Sequence, residues 1–363
     1  MTILVIATVA YVLEFLFLRM GLDRSDRLKK NPGYAPSVSI IVAARNEEQY
    51  IESCLNSLTQ LEYPREKLEI IVVNDRSTDR TSEIIEPFAE RYPFIKMFST
   101  RQEEGNLRGK TNAVAHGISV SSGEILMFTD ADCTVPRKWV QETVQYFDEK
   151  TGVVGGFTVL NANRMFEGIQ NLDWIFLFGL ASATAGWKIP LTVIGNNLSV
   201  RRSAYDATGG YEKIPFSVTE DYSLVQSILK HTGLEVRFPL NPETVVLSSA
   251  CRTWKQLYRQ KQRWGVGGLD MVLRGIIIMS IGWLVKLALI IGIFSVSLPV
   301  WFTALACKLF MDVRFLWKPL KRFGSASPLK YFLFFELYFT VYVLIIPFIA
   351  MFSKKIVWKE RSL

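Results

Sequence analysis

Residues 2–20, 275–311 and 329–352 are almost wholly apolar, whereas the chain between about 37 and 265 has the composition of an ordinary water-soluble domain. This division constrains the fold more than any other feature. About 20 apolar residues suffice for a helix to cross a bilayer, so the apolar runs read as membrane segments around a water-facing domain. The whole-chain values, 49% hydrophobic and a mean hydropathy of +0.19, average over two kinds of sequence. The expected organisation is an N-terminal anchor over 1–21, a folded domain over 36–250, an interfacial amphipathic helix over 251–270, about three apolar segments over 275–352, and a basic tail over 353–363.

Residues 2–20 read as a retained anchor rather than a cleaved signal peptide. No basic residue precedes the run and no small-x-small site follows it. Arg19, Arg24, Arg27, Lys29 and Lys30 follow instead, which places the downstream side in the cytoplasm. The implied location is integral to the plasma (inner) membrane. The region 275–311 is long enough for two tight helices divided near Ser297-Leu298-Pro299, and 329–352 for one more. Three full C-terminal spans would leave the basic residues 354–361 outside, against the positive-inside rule, so one segment is expected to be re-entrant or interfacial. Lone charges are costly in apolar segments, and Lys286 is expected to pair with Glu14 or Glu336.

The net charge of +8 comes from 42 basic and 34 acidic residues. The basic residues gather at 19–30, 252–263, 314–330 and 354–361, beside the apolar runs. Attraction to anionic head groups accounts for them, and no nucleic-acid module is present among them. Cys54, Cys133, Cys251 and Cys307 form no CxxC pair and read as buried residues of a reducing compartment. With His116 and His231 as the only histidines, the sequence argues against zinc.

Within the central domain, 37–43, 68–73, 95–99 and 124–129 read as strands. Residues following Asn46, then 78–91, 110–119 and 136–147, read as helices, with Asn46 as a cap. Alternation of this kind implies a mostly parallel, doubly wound α/β sheet, in which ligands bind at the carboxyl ends of strands. Asp75 and Asp130-Ala131-Asp132 fall at such ends. Residues 171–187 read as a surface or interfacial helix, and 254–268, with alternating basic and aromatic residues, as a helix on the membrane face.

Carboxylates at a strand end suit Mg2+ or Mn2+, with a diphosphate supplying the remaining ligands. An Asp-x-Asp by itself is more often a turn. Asp75 can accept a hydrogen bond from a base or ribose, while Asp79 more simply shapes a turn. Lys110 can reach a phosphate. Thr219-Glu220-Asp221 offers a general base for an acceptor hydroxyl, and is equally a helix start with Thr219 as cap. Arg263 can neutralise a departing diphosphate and Trp264 can stack on a sugar face.

The chain from about 37 to 270 resembles the membrane-associated branch of glycosyltransferase family 2, which includes cellulose, hyaluronan and poly-N-acetylglucosamine synthases and ceramide glucosyltransferase. The resemblance rests on Ser39-Ile40-Ile41-Val42-Ala43-Ala44-Arg45-Asn46-Glu47-Glu48, Asp75, Asp130-Ala131-Asp132, Thr219-Glu220-Asp221 and Gln260-x-x-Arg263-Trp264. The acceptor-side segment Gly195-Asn196-Asn197-Leu198-Ser199-Val200-Arg201-Arg202 and Gly209-Gly210-Tyr211 also match. It implies a GT-A fold flanked by transmembrane helices and an inverting, metal-dependent transferase. Ala43, Arg45, Glu47, Asp75, Lys110 and Asp130 would bind a nucleotide sugar, most often UDP-linked. Asp132 would hold Mg2+ or Mn2+, Asp221 would be the base with Glu220 beside it, and Arg263 would face the diphosphate. Asn197, Thr219, Gln260 and Trp264 would meet the acceptor. Two positions depart from the pattern: Asn74 stands where an Asp is frequent, and Ala115 where an Asn is usual.

The leading expectation is sugar transfer to a lipid or lipid-linked acceptor at the cytoplasmic membrane face. The alternative is a processive polysaccharide synthase acting on a glycan. The short chain and few spans leave less material for an export channel. A non-catalytic membrane scaffold is a third class, but binding alone would not demand Asp221.

Overall fold

The computed structural model describes residues 1–352 and the backbone of 357–358 and 361–362. The expected basic tail, 353–363, otherwise lies outside the described residues. The chain divides into two compact units. Arg27–Val159 and Thr192–Ser249 make the α/β unit. Met1–Asp26, Leu160–Leu191 and residues 250–352 make the helical unit.

In the α/β unit, β1 (Val38–Ala44), β2 (Leu68–Asn74), β3 (Ile95–Ser99), β4 (Ile125–Asp130), β5 (Thr151–Gly155), β7 (Leu198–Arg201) and β8 (Glu235–Arg237) form one sheet in the order β3-β2-β1-β4-β7-β5-β8. β6 (Thr158–Leu160) and β9 (Val246–Ser248) form a separate pair. The β3-β2-β1-β4 half is parallel throughout, and β7 runs antiparallel to both β4 and β5. Strands covered on both faces have to be apolar runs, which is why these strands were legible in the sequence. The helices are α2 (Ile51–Thr59), α3 (Thr81–Arg91), α4 (Gly109–Ser119), α5 (Trp139–Val144), α7 (Arg202–Asp206) and α8 (Glu220–Thr232).

Register positions the site. Ala43 lies beside both Val73 and Asp130, and Ala44 beside Asn74. β1, β2 and β4 therefore end level, and Arg45, Asp75 and Asp130-Ala131-Asp132 leave the sheet at one edge. Asn46 does not cap α2. Its backbone is left-handed, at φ 52°, and its side-chain oxygen accepts from the Thr78 amide at 2.9 Å, tying the β1 loop to the β2 loop. α3 begins at Thr81 rather than 78, because Asp79 shapes the turn by accepting from the Thr81 and Glu48 amides.

The helical unit consists of α1 (Thr2–Asp26), α6 (Met165–Gly186), α9 (Trp254–Gly267), α10 (Leu273–Gly292), α11 (Leu298–Arg322) and α12 (Phe332–Phe352). The break between α10 and α11 falls at the expected Ser297-Leu298-Pro299. Among the described residues, three helical stretches are long and apolar enough to cross a membrane: Thr2–Asp26, Leu273–Gly292 and Ser327–Phe352. α6 falls within the sequence range assigned to the folded domain, yet it clusters with the apolar helices and buries most of its length. α1 and α6 cross at glycines. A Cβ on Gly21 would lie 2.1 Å from the Ala183 carbonyl oxygen, and one on Gly186 would lie 2.1 Å from that of Gly21. Small residues permit such close backbone approach. Gly21→Val is expected to destabilise the helical unit by about 1–3 kcal/mol, read as a lower Tm of the full chain in detergent. An unchanged Tm would remove this account of the crossing.

Among the described residues Lys286 forms no close ion pair with Glu14 or Glu336, although the charges of both act on it. Glu336 pairs with Lys308 of α11, which also meets Asp312 at 2.9 Å, and Tyr11 donates to Asp312. The Lys286 ammonium instead lies over the Phe339 ring, 4.8 Å from its centroid. Lys308 of α11, which the sequence reading did not single out, is the buried cation that Glu336 meets.

Candidate active site

At the carboxyl edge of the sheet, four of the expected residues converge. Lys110, in the first turn of α4, lies 2.6 Å from Asp130 and 3.2 Å from Glu220 at the start of α8. Asp221 follows. Its Oδ2 accepts from the Gly195 amide at 2.6 Å and its Oδ1 from the Tyr222 amide at 2.8 Å. Burial and the Glu220 carboxylate push the Asp221 carboxyl up from 3.8 to about 6, against the pull of Lys110 and the two amides. Burial works to lower the Lys110 pKa, but Asp130 and Glu220 outweigh it and hold the ammonium well above its ordinary value. The result is a carboxylate poised near neutrality beside a permanent cation, which suits proton removal from a hydroxyl next to an anion-binding point.

Asp132 follows β4 in a turn closed by the Cys133 amide donating to the Asp130 carbonyl at 3.1 Å. Reciprocal backbone bonds between Thr134 and Leu247 bring β9 alongside, so that Ser248 Oγ lies 3.5 Å from Asp132 Oδ2. Among the described residues, no group of three or more His, Cys, Asp or Glu side chains forms a metal site of its own. Hard carboxylate oxygens beside a lysine fit a divalent cation whose coordination a diphosphate would complete. Cys54 and Cys133, beneath these aspartates, are fully buried, and burial together with Asp132 and Asp130 pushes both thiols far up. They are inert packing residues, as their spacing implied.

Asp75 has no exposed surface. Its Oδ1 accepts from Thr100 at 2.7 Å and from Arg76 Nε at 3.1 Å. Arg76, which the sequence reading did not single out, has a left-handed backbone at φ 55° and lies 3.7 Å from Glu103 on the loop before α4. Arg45 holds this turn by donating to the Asp75 and Arg76 carbonyls at 2.7 and 3.0 Å, and the Glu47 amide donates to Thr81 at 2.8 Å.

Two expectations are corrected. Asn197 is 2% exposed. Its amide nitrogen donates to the Phe157 and Thr244 carbonyls at 2.8 and 2.9 Å, and its oxygen accepts from the Trp139 indole at 3.0 Å. Both its donors are occupied, so Asn197 is a brace for the sheet and not an acceptor contact. Thr219 precedes α8 but makes no capping bond through its side chain; its hydroxyl lies 3.2 Å from that of Ser217.

Within the helical unit, α9 carries the remaining expected residues. A capping box between Thr253 and Gln256 fixes its start. Trp264 is partly buried, with the Lys261 ammonium 4.3 Å from its ring centroid and the Trp174 ring at 5.7 Å. One aromatic surface is therefore committed to packing. Gln260 Oε1 is buried without a hydrogen-bond partner among the described residues. Arg263 is partly buried on the same helix.

Known proteins resemble this chain in sequence and in fold. The family model for glycosyl transferase family 2 matches residues 39–209, and that for glycosyl transferase family group 2 matches residues 125–354. A probable glycosyltransferase, YdaM, of Bacillus subtilis (strain 168) is 34% identical over 251 residues, covering 68% of this chain and 58% of the relative. A beta-monoglucosyldiacylglycerol synthase of Synechocystis sp. is 30% identical over 311 residues, covering 82% and 60%. A poly-beta-1,6-N-acetyl-D-glucosamine synthase of Staphylococcus aureus (strain COL) is 28% identical over 246 residues, covering 65% and 56%. The chain thus spans less than two thirds of the length of each of these relatives. In fold it resembles a mannosyltransferase from Pyrobaculum calidifontis solved in complex with GDP-Man and Mn2+, with a TM-score of 0.66 at 20% identity over 97% of this chain and 99% of that one. The α/β fold with a mostly parallel sheet is the one expected. With a family model matching well over half of its residues, the chain belongs to the family 2 group of glycosyltransferases.

Proposed function

We propose that the protein transfers a sugar, with inversion, from a nucleotide sugar of the UDP class to a lipid or lipid-linked acceptor at the cytoplasmic face of the membrane. The observation that carries this reading is the cluster of Asp221, Glu220, Lys110 and Asp130 at the carboxyl edge of the sheet, with Asp221 raised to about 6. In this reading Asp221 takes the proton of the acceptor hydroxyl. The hydroxyl oxygen then forms its bond to the anomeric carbon as the bond to the diphosphate breaks on the opposite side, which inverts the centre. Glu220 keeps Asp221 basic, and Lys110 exchanges a carboxylate partner for the diphosphate. Asp132 would hold Mg2+ or Mn2+, which when bound offsets the charge of the leaving group. Ala43, Arg45, Glu47 and Asp75 are assigned to the nucleotide, Arg263 to the diphosphate, and Thr219, Gln260 and Trp264 to the acceptor.

Two features favour a lipid acceptor. α9, with Gln260 and Arg263, packs on α12, a helix within an apolar stretch able to cross a membrane. A relative with 30% identity is a beta-monoglucosyldiacylglycerol synthase. The basic residues that end and follow α1 support a cytoplasmic site. Membranes containing the full chain, incubated with labelled UDP-sugars and Mn2+, are expected to give label extractable into organic solvent. High-mass polymer instead would establish the polysaccharide synthase reading, and label in neither fraction would defeat both.

A further inference from the structure

α9 is held by an ion pair that the proposed reaction does not use. Lys261 and Asp173 of α6 are 4% and 3% exposed, with Lys261 Nζ 2.5 Å from Asp173 Oδ2. The same oxygen accepts from the Tyr338 hydroxyl of α12 at 3.1 Å. Three helices thus meet at one carboxylate. The ammonium is closed in by the Trp264 ring and, 4.8 Å from its centroid, the Tyr342 ring. Leu257, Lys261 and Trp264 follow i, i+4, i+7 spacing along one stripe of α9. Gln260 and Arg263 form the adjacent stripe, about 100° around the helix at 3.6 residues per turn.

From this geometry we infer that Asp173 and Lys261 are positioning residues, which fix the rotation of α9 and so the direction in which Gln260 and Arg263 point. The inference rests on the proposed role of those two residues. Stability alone does not explain the pair. Two well-packed apolar side chains in the same space hold helices together at least as well, because desolvating both charges is costly. What an ion pair adds is direction. It closes in one rotational setting of α9, whereas an apolar contact tolerates several. The buried Oε1 of Gln260, without a partner among the described residues, is the group whose aim that setting determines.

The test uses the full chain in detergent, with transfer kinetics, Tm and hydrogen exchange of residues 254–267. Lys261→Met is expected to lower kcat about 10²-fold, the scale of a misplacement near 1 Å. KM for the nucleotide sugar should change much less than kcat, since most residues assigned to that ligand lie outside α9 and Arg263 is assigned to the departing diphosphate. Because an unpaired Asp173 also threatens folding, the deciding variant is Asp173→Leu with Lys261→Met, which leaves no buried charge. It is expected to recover the wild-type Tm while kcat stays low and exchange in 254–267 stays raised. Recovery of kcat in that double variant would overturn the inference, since packing alone would then suffice, and so would a wild-type kcat in Lys261→Met. If the wild type transfers no sugar at all, the proposed function fails. Exchange in 254–267 of the double variant still decides whether the pair fixes the helix.

Discussion

Replacing Asp221 with Asn is expected to lower kcat by about 10²–10⁴-fold, the range supplied by a positioned general base, while the nucleotide sugar still binds. Asn keeps the size of the side chain and one of the two acceptors that Asp221 offers the Gly195 and Tyr222 amides, so unchanged Tm and nucleotide-sugar affinity are the controls that separate lost proton removal from a disturbed loop. The pH profile gives a sharper version. A base works ionised, so kcat falls as pH drops through about 6, the raised value of Asp221, and levels off above it. Glu220→Gln removes a charge that raises Asp221 and shifts this limb to lower pH, whereas Lys110→Met removes a charge that lowers it and shifts the limb upward. The same group affects stability with the opposite preference. Its carboxyl rises from 3.8 to about 6 on folding, so its contribution is fully present below 3.8 and is lost as pH rises through about 6. A kcat profile of Asp221→Asn matching the wild type would remove Asp221 as the base.

Asp132→Ala is expected to lower transfer by about 10³-fold, the scale of losing metal stabilisation of a leaving group. Titration calorimetry separates this from misfolding. UDP should bind the wild type more tightly with Mn2+ and lose that gain with EDTA, whereas Asp132→Ala should bind UDP equally with or without metal. Because the described residues contain no three-ligand cluster, metal alone should bind weakly until the diphosphate is present. Mn2+-stimulated turnover in Asp132→Ala would assign the metal elsewhere.

The parts legible in the sequence are those with local causes. β1, β2 and β4 are apolar because both faces of a parallel strand are covered, and the polar residue that ends each run marks the edge of the sheet. The parts that were not legible depend on contacts distant in the chain. Asn197 resembles a ligand-binding amide until Trp139, Phe157 and Thr244 are brought around it. α6 has the apolar content of a surface-lying helix, but its buried length includes Gln170, Asn171 and Asp173, each satisfied within the helical unit. Arg76 carries no pattern at all. Only its left-handed backbone and its hold on Asp75 bring it forward. Of the site, the acids and Lys110 could be read from order and spacing. The constraint on α9 could not, because Asp173 and Lys261 are 88 positions apart in the chain.

The knot of Lys308, Asp312, Glu336 and Tyr11 makes three helices depend on one another. Its members come from α1, α11 and α12. Without α12, Lys308 keeps only one of its two carboxylates, and a buried charge left short of its partners is costly. The three helices are therefore expected to be stable only together.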